Sequence, residues 1–279
     1  MSHRIAGLVV FLAWAASAAG GQVVVPVFAW SLSGASGNRW SSELYLTNVG
    51  QADASVRYGG FLPGFMEVGT PCLPPIAPVP VPPHSTVVVP GVAVARDMGC
   101  PAFAVGGLVL DIDGDVRVTS RMVNTRGTSG PGGDVASGFG QEIPGLATDE
   151  LLPAGAPAML PGLVWDPLRC GSVRFDTYLY FANPGPTAAT VTLLSGSGGD
   201  PLTVVLDGTT VTTPVALTVA PVGWLRVHVE PGGAWPAVCG PPHTFDLIFS
   251  SDAPIAALAS VVDRTTQDPR TVLPVPIAE

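Results

Sequence analysis

Asp111, Asp113 and Asp115 fall on alternate residues around Gly114. Oxygen ligands at such spacing are what a calcium loop uses. Glycine stands fourth here, and no glutamate follows at the twelfth place to close an EF-hand. The reading adopted is an Asp-Gly hairpin turn whose carboxylates face water, and no metal or other cofactor is assigned.

Other chemistry fares no better. The histidines beyond the N-terminus are His84, His228 and His243, and none sits in a His-x-His or His-Glu-x-x-His pattern. His84 and His243 each follow two prolines. His228 lies in the alternating run Trp224 to Glu230, where a cross-strand carboxylate is its expected partner. No Gly-x-Ser-x-Gly elbow occurs. Glu43, Glu67, Glu142, Glu150 and Glu230 lie mostly near turns and offer no pair of the kind glycosidases hold ~5–9 Å apart. No catalytic residue is therefore assigned. Trp165 and Trp235, in Pro/Gly-rich surroundings, are the candidates for stacking on a sugar or other ligand.

Cys72, Cys100, Cys170 and Cys239 make an even set without a Cys-x-x-Cys, which in an exported chain points to disulfides rather than zinc. Three pairings are open. The internal repeat described next favours Cys72 with Cys100 and Cys170 with Cys239, one bridge in each half.

The elements that hold these residues read as short strands. Trp40 to Gly50 (WSSELYLTNVG) matches Phe175 to Gly185 (FDTYLYFANPG) without a gap, so that Leu44 meets Leu179 and Asn48 meets Asn183. Gly107 to Asn124 matches Phe245 to Asp263, with Leu108 on Leu247 and Asp113 on Asp252. Each match is an alternating strand, a turn and a second strand, and each is predicted to be a hairpin. Repetition in the same order implies an internal duplication. Further strands are expected at 23–30, 86–90, 202–206, 215–219, 224–229 and 271–277. Pro26 would sit at an edge or bulge. The two terminal strands are expected to pair within their own halves, although strand addition to another molecule is the alternative.

Gly and Pro, at 34 and 30 residues, exclude long helices, while 47% apolar residues suffice for a core. The expected fold is all-β: two tandem antiparallel β-sandwich domains, 20–145 and 146–279, related by duplication. The segment 127–163 is read as an ordered crossing between them, with Phe139 and Ile143 packing over the junction. Charged residues are only 12%, all twelve basic residues are arginine, and net charge is -9. A chain so acidic, with scattered arginines, is not expected to bind nucleic acid.

Residues 1–19 read as a signal peptide: His3 and Arg4, an apolar run from Ile5 to Ala16, and a small-residue exit with cleavage after Ala18 or Ala19. That run is too short for a membrane span, so no integral span is expected after cleavage.

Trp40 to Gly50, Ser120 to Asn124, Gly138 to Pro144 and Ala259 to Pro269 together resemble a loosely described group of secreted bacterial proteins of unassigned function with repeated β-sandwich-like segments. The resemblance implies an envelope or extracellular setting and carries no catalytic residues with it. The expectation is a noncatalytic exported protein with a structural, adhesive or assembly role in the periplasm, envelope or extracellular space. Its partners would be itself, an envelope protein or a glycan, and the alternative role is a carbohydrate- or ligand-binding module.

Overall fold

The computed structural model describes residues 20–33, 38–66, 72, 77–100, 103–126, 140–165, 175–196, 199, 201–206, 209–231, 243–263 and 268–277. The signal-like segment, Cys170, Cys239, Trp235 and Phe139 lie outside them.

The first half holds β1 (Gly21–Trp30), β2 (Leu32–Ser33), β3 (Asn38–Asn48), β4 (Ala54–Met66), β5 (Val79–Val81), β6 (Thr86–Pro90), a short helix α1 (Gly91–Asp97), β7 (Ala104–Asp113), β8 (Val116–Arg126), β9 (Gly140–Pro144) and β10 (Leu146–Ala147). The second holds β11 (Ala158–Trp165), β12 (Phe175–Asn183), β13 (Ala189–Gly196), β14 (Thr203–Leu206), β15 (Thr209–Thr212), β16 (Val215–Val219), β17 (Gly223–Pro231), β18 (His243–Ser251), β19 (Ala256–Asp263), β20 (Asp268–Val272) and β21 (Val275–Pro276).

These strands form four antiparallel sheets in two contacting sandwiches. In the first half, β10-β1-β7-β4-β5 faces a sheet of β2, β3, β6, β8 and β9. In the second, β21-β11-β18-β13-β16 faces a sheet in which β17-β12-β19-β20 is extended by the hairpin β14-β15. Apart from that hairpin and the short β2, the strand order of one half recurs in the other. Register agrees residue by residue. β1 is bulged between Val25 and Phe28, and β11 between Leu160 and Leu163, the positions made equivalent by laying Trp40 on Phe175. Pro26 and Pro161 sit inside those bulges, where a missing N–H removes nothing from the ladder.

Both predicted hairpins are instead corners between sheets. β3 pairs with β6 and β8, whereas the strand after its Asn-x-Gly turn, β4, pairs with β5 and β7 in the opposite sheet. The acidic turn from β7 to β8 crosses in the same way, as do the equivalents in the second half. Alternation reports which face of a strand is buried, and it is silent on which neighbour completes the ladder.

The asparagine explains the first corner. Asn48 is 1% exposed, its Nδ2 donates to the carbonyls of Ala52 at 2.8 Å and Val81 at 2.9 Å, and its Oδ1 accepts the Gly50 N–H at 2.9 Å. Asn183 repeats this with Thr187 at 2.8 Å, Ala220 at 3.0 Å and the Gly185 N–H at 3.0 Å. One amide thus satisfies the backbone groups that a chain leaving its sheet would strand. The second corner is tied by Asp252, whose Oδ1 accepts the Thr190 N–H at 2.6 Å.

The hydrogen bonds from the Thr190 backbone and side chain hold Asp252 below the ordinary carboxylate range. A depressed folded-state pKa contributes stability that is present above the unfolded value and lost as pH falls through the folded one. The stability deficit of Asp252→Ala should therefore be full near neutrality and shrink below about pH 4. Urea midpoints of the two proteins compared across that range would show it, and a deficit unchanged with pH would exclude the carboxylate as its source.

Each half has its own core. Phe28, Trp30, Leu44, Leu46, Leu108 and Leu110 centre the first, and Leu160, Leu179, Phe181, Val191, Leu247 and Phe249 the second. Ile143 is fully buried in the first core, in the cluster that Tyr180 and Leu258 of the second half also join, and its strand meets the second half through Gln141 and Glu142. The Cys72–Cys100 disulfide is formed, with Cα atoms 4.4 Å apart across 28 residues. It fastens the end of α1 to the Pro-rich stretch, and closing a loop of that length contributes roughly 3–4 kcal/mol in the chain-entropy account. Among the described residues no helix is long and apolar enough to cross a membrane.

Candidate functional site

Of the aspartates singled out above, Asp111 and Asp113 lie on β7 and Asp115 in the turn that follows it. Asp111 and Asp113 are exposed on one face of β7, and Asp111 accepts a hydrogen bond from Gln22 Nε2 at 3.2 Å. Among the described residues no three His, Cys, Asp or Glu side chains converge to hold a metal ion. Trp165 closes β11, but its side chain lies outside the described residues, as does that of His243. His84 stands in a turn at φ 52° with its ring nitrogen 3.0 Å from Gln51 Oε1.

His228 finds its expected cross-strand carboxylate: Nε2 is 3.4 Å from Asp176 Oδ1. Its ring stacks on Tyr178 at 4.9 Å, and Arg226 lies 5.5 Å from the Tyr178 centroid. Ser260 is paired across Tyr178 on the far side of β12. Two strand spacings, roughly 10 Å, separate it from His228, and its Oγ is committed to Gln141 Oε1 at 2.9 Å. The arrangement is a histidine–carboxylate contact with aromatic support.

The same face of β12, β17 and β19 carries the contact between the halves. Ala182, Ala256 and Trp224 pack on Val24, Leu62 and Val109 from the outer face of the first half's β1-β7-β4 sheet. Tyr180 and Leu258 reach further, into the first core itself, and burial pushes the Tyr180 phenol above its ordinary pKa. Trp224 is the pivot. Its Nε1 donates to the Pro26 carbonyl at 2.7 Å, in the bulge of β1. Its ring covers Gly64 so closely that a Cβ there would lie 2.0 Å from Cε3.

Register identifies the first-half counterparts of these residues. Thr47 stands where the second half has Ala182, Arg117 where it has Ala256, Thr119 where it has Leu258, and Thr86 where it has Trp224. These four positions are polar in the first half and small or apolar in the second.

A cavity of about 390 Å³ opens beside this contact. It lies where the chain leaves one sheet for the other: after Pro144 to reach β10, and after Leu273 to reach β21. Gly145 donates its N–H to Val118 O at 3.0 Å, and a Cβ on it would come within 2.6 Å of Val23, so the crossing is as tight as glycine allows. Both halves line the space with equivalent positions, Val116 with Ile255, Val118 with Ala257 and Pro144 with Leu273. Nothing in the sequence marked it, because it depends on the register of two crossings that lie in different halves of the chain, at Pro144 and at Leu273. Comparison with protein-family models, with curated proteins and with solved structures gives no match.

Proposed function

We propose that this chain is a noncatalytic exported protein of the cell envelope or extracellular space, with a structural or adhesive role performed by two duplicated sandwiches working as one rigid body. The observation that carries this reading is the contact between the halves, which buries Val24, Leu62, Val109, Ala182 and Ala256 and pins Trp224 at both its ring and its N–H. Coincident bulges and matching asparagine corners support the duplication. The Cys72–Cys100 bridge and the basic, apolar, small-residue order of residues 1–19 support export.

Light scattering of the oxidised protein, without residues 1–19, over a concentration series tests the role. The first half's outer face has Thr47, Arg117 and Thr86 at the places of Ala182, Ala256 and Trp224 and so lacks the set that makes the docking contact, which predicts a monomer throughout. Growth with concentration would replace the stand-alone reading with self-assembly through strand edges. A second reading, ligand binding, is favoured by the cavity between the halves.

A further inference from the structure

We propose that the cavity between the halves binds a single-chain anionic amphiphile, an aliphatic carboxylate of medium length, an inference that rests on the ligand-binding reading above. Its volume of about 390 Å³ falls in the ~300–1,000 Å³ range of small-ligand sites. Paired positions from the two halves, Val116 with Ile255 and Val118 with Ala257, give the cavity an apolar lining. An aliphatic chain suits a slot lined in this way. The apolar surface continues out of it, since Leu273 is 43% exposed in the lining and Val275, two residues on, is 48% exposed.

The two halves differ at the head of the slot. Where the second half has Ala256 and Leu258, the first presents Arg117 and Thr119 on one face of β8, and both line the cavity. Arg117 is exposed and makes no ion pair or side-chain hydrogen bond with any described residue. The acidic side chain in the lining, Glu150, already accepts the Ala147 N–H at 2.8 Å. Of the two charged side chains in the lining, Arg117 is thus the one without a partner among the described residues. With the hydroxyl of Thr119 one alternation along the strand, it suits a carboxylate head, while the tail lies between the halves.

Calorimetric titration of the intact oxidised protein with octanoate, decanoate, dodecanoate and decanol, below their micellar concentrations, tests the assignment. One carboxylate per chain is expected to bind, each added methylene tightening it about fourfold until the slot is full. Arg117→Gln should weaken decanoate about tenfold and leave decanol unchanged. Leu273→Glu, an exposed change compatible with folding, should weaken both. Saturable binding of decanol with no preference for decanoate, or decanoate binding indifferent to Arg117→Gln, would overturn the carboxylate assignment and leave the slot as an apolar site. No saturable binding by any of the four would overturn the amphiphile proposal together with the ligand-binding reading, while the rigid two-sandwich reading, tested by light scattering, would stand.

Discussion

Asn48→Ala is expected to cost the protein about 3–4 kcal/mol, measured as a fall in the urea midpoint at constant slope. The side chain is 1% exposed, and its loss strands the carbonyls of Ala52 and Val81 and the N–H of Gly50. Buried groups left unpaired cost about 1–3 kcal/mol each, less whatever water recovers by entering. Asn48→Asp should do no better than Ala. A carboxylate can still accept from Gly50, but it places an oxygen against two carbonyls that need donors. Asn183→Ala should cost a similar amount for the same reason at Thr187, Ala220 and Gly185. A loss under about 1 kcal/mol at Asn48 would mean that the corner's backbone is satisfied without its amide.

That corner also shows how far residue patterns reach. Leu44, Leu46, Leu179 and Phe181 alternate with polar or outward-facing neighbours, and their burial was legible from period alone. Matching the two halves brought Asn48 to Asn183 and Asp113 to Asp252, and the ladders keep those equivalences. Pairing was not legible. An Asn-x-Gly between two alternating strands fits a hairpin as well as a corner, and the difference lies in carbonyls such as Val81 O, 33 residues away in sequence. β11 went unread because Pro161 and Gly162 interrupt it, yet they form its bulge. α1 spans only seven residues, too few for a helical period to stand out.

The candidate site was less legible than the fold. Trp165 and Trp235 drew attention because they lie among prolines and glycines, whereas the tryptophan that organises the molecule is Trp224. Its partners are a carbonyl 198 residues away and the bare backbone of Gly64. Alanines such as Ala182 and Ala256 give no signal of an interface until their register against Thr47 and Arg117 is known. The cavity is further removed still. It exists because two strands change sheets at equivalent places, and in its lining Arg117, Thr119 and Glu150 carry the chemistry that a sequence could have advertised.

Trp224→Ala should turn one cooperative unfolding transition into two. In the native protein the halves share a buried contact in which Tyr180 and Leu258 of the second half enter the first core, so melting either half exposes apolar surface on the other and the two are expected to unfold together. Removing the indole deletes the hydrogen bond to Pro26 O and the Tyr180–Trp224 ring contact at 5.5 Å, and leaves a void above Gly64. Truncating a large aromatic in packed surroundings costs about 3–5 kcal/mol, and the partial exposure of Trp224 places the expected loss near the lower end. Gly64→Val should give the same phenotype from the other side, because its Cβ would occupy the position of the indole ring. Calorimetry reads both, with two resolved transitions and an unchanged total enthalpy to within the lost contact. A single transition in both variants, shifted but not split, would show that Val24, Leu62 and Val109 couple the halves without the tryptophan. Trp224→Phe separates the two contributions. It keeps most of the ring over Gly64 and removes only the donor to Pro26, so a split transition in Phe as well as Ala would place the coupling in the hydrogen bond, and a split in Ala alone would place it in the packed ring.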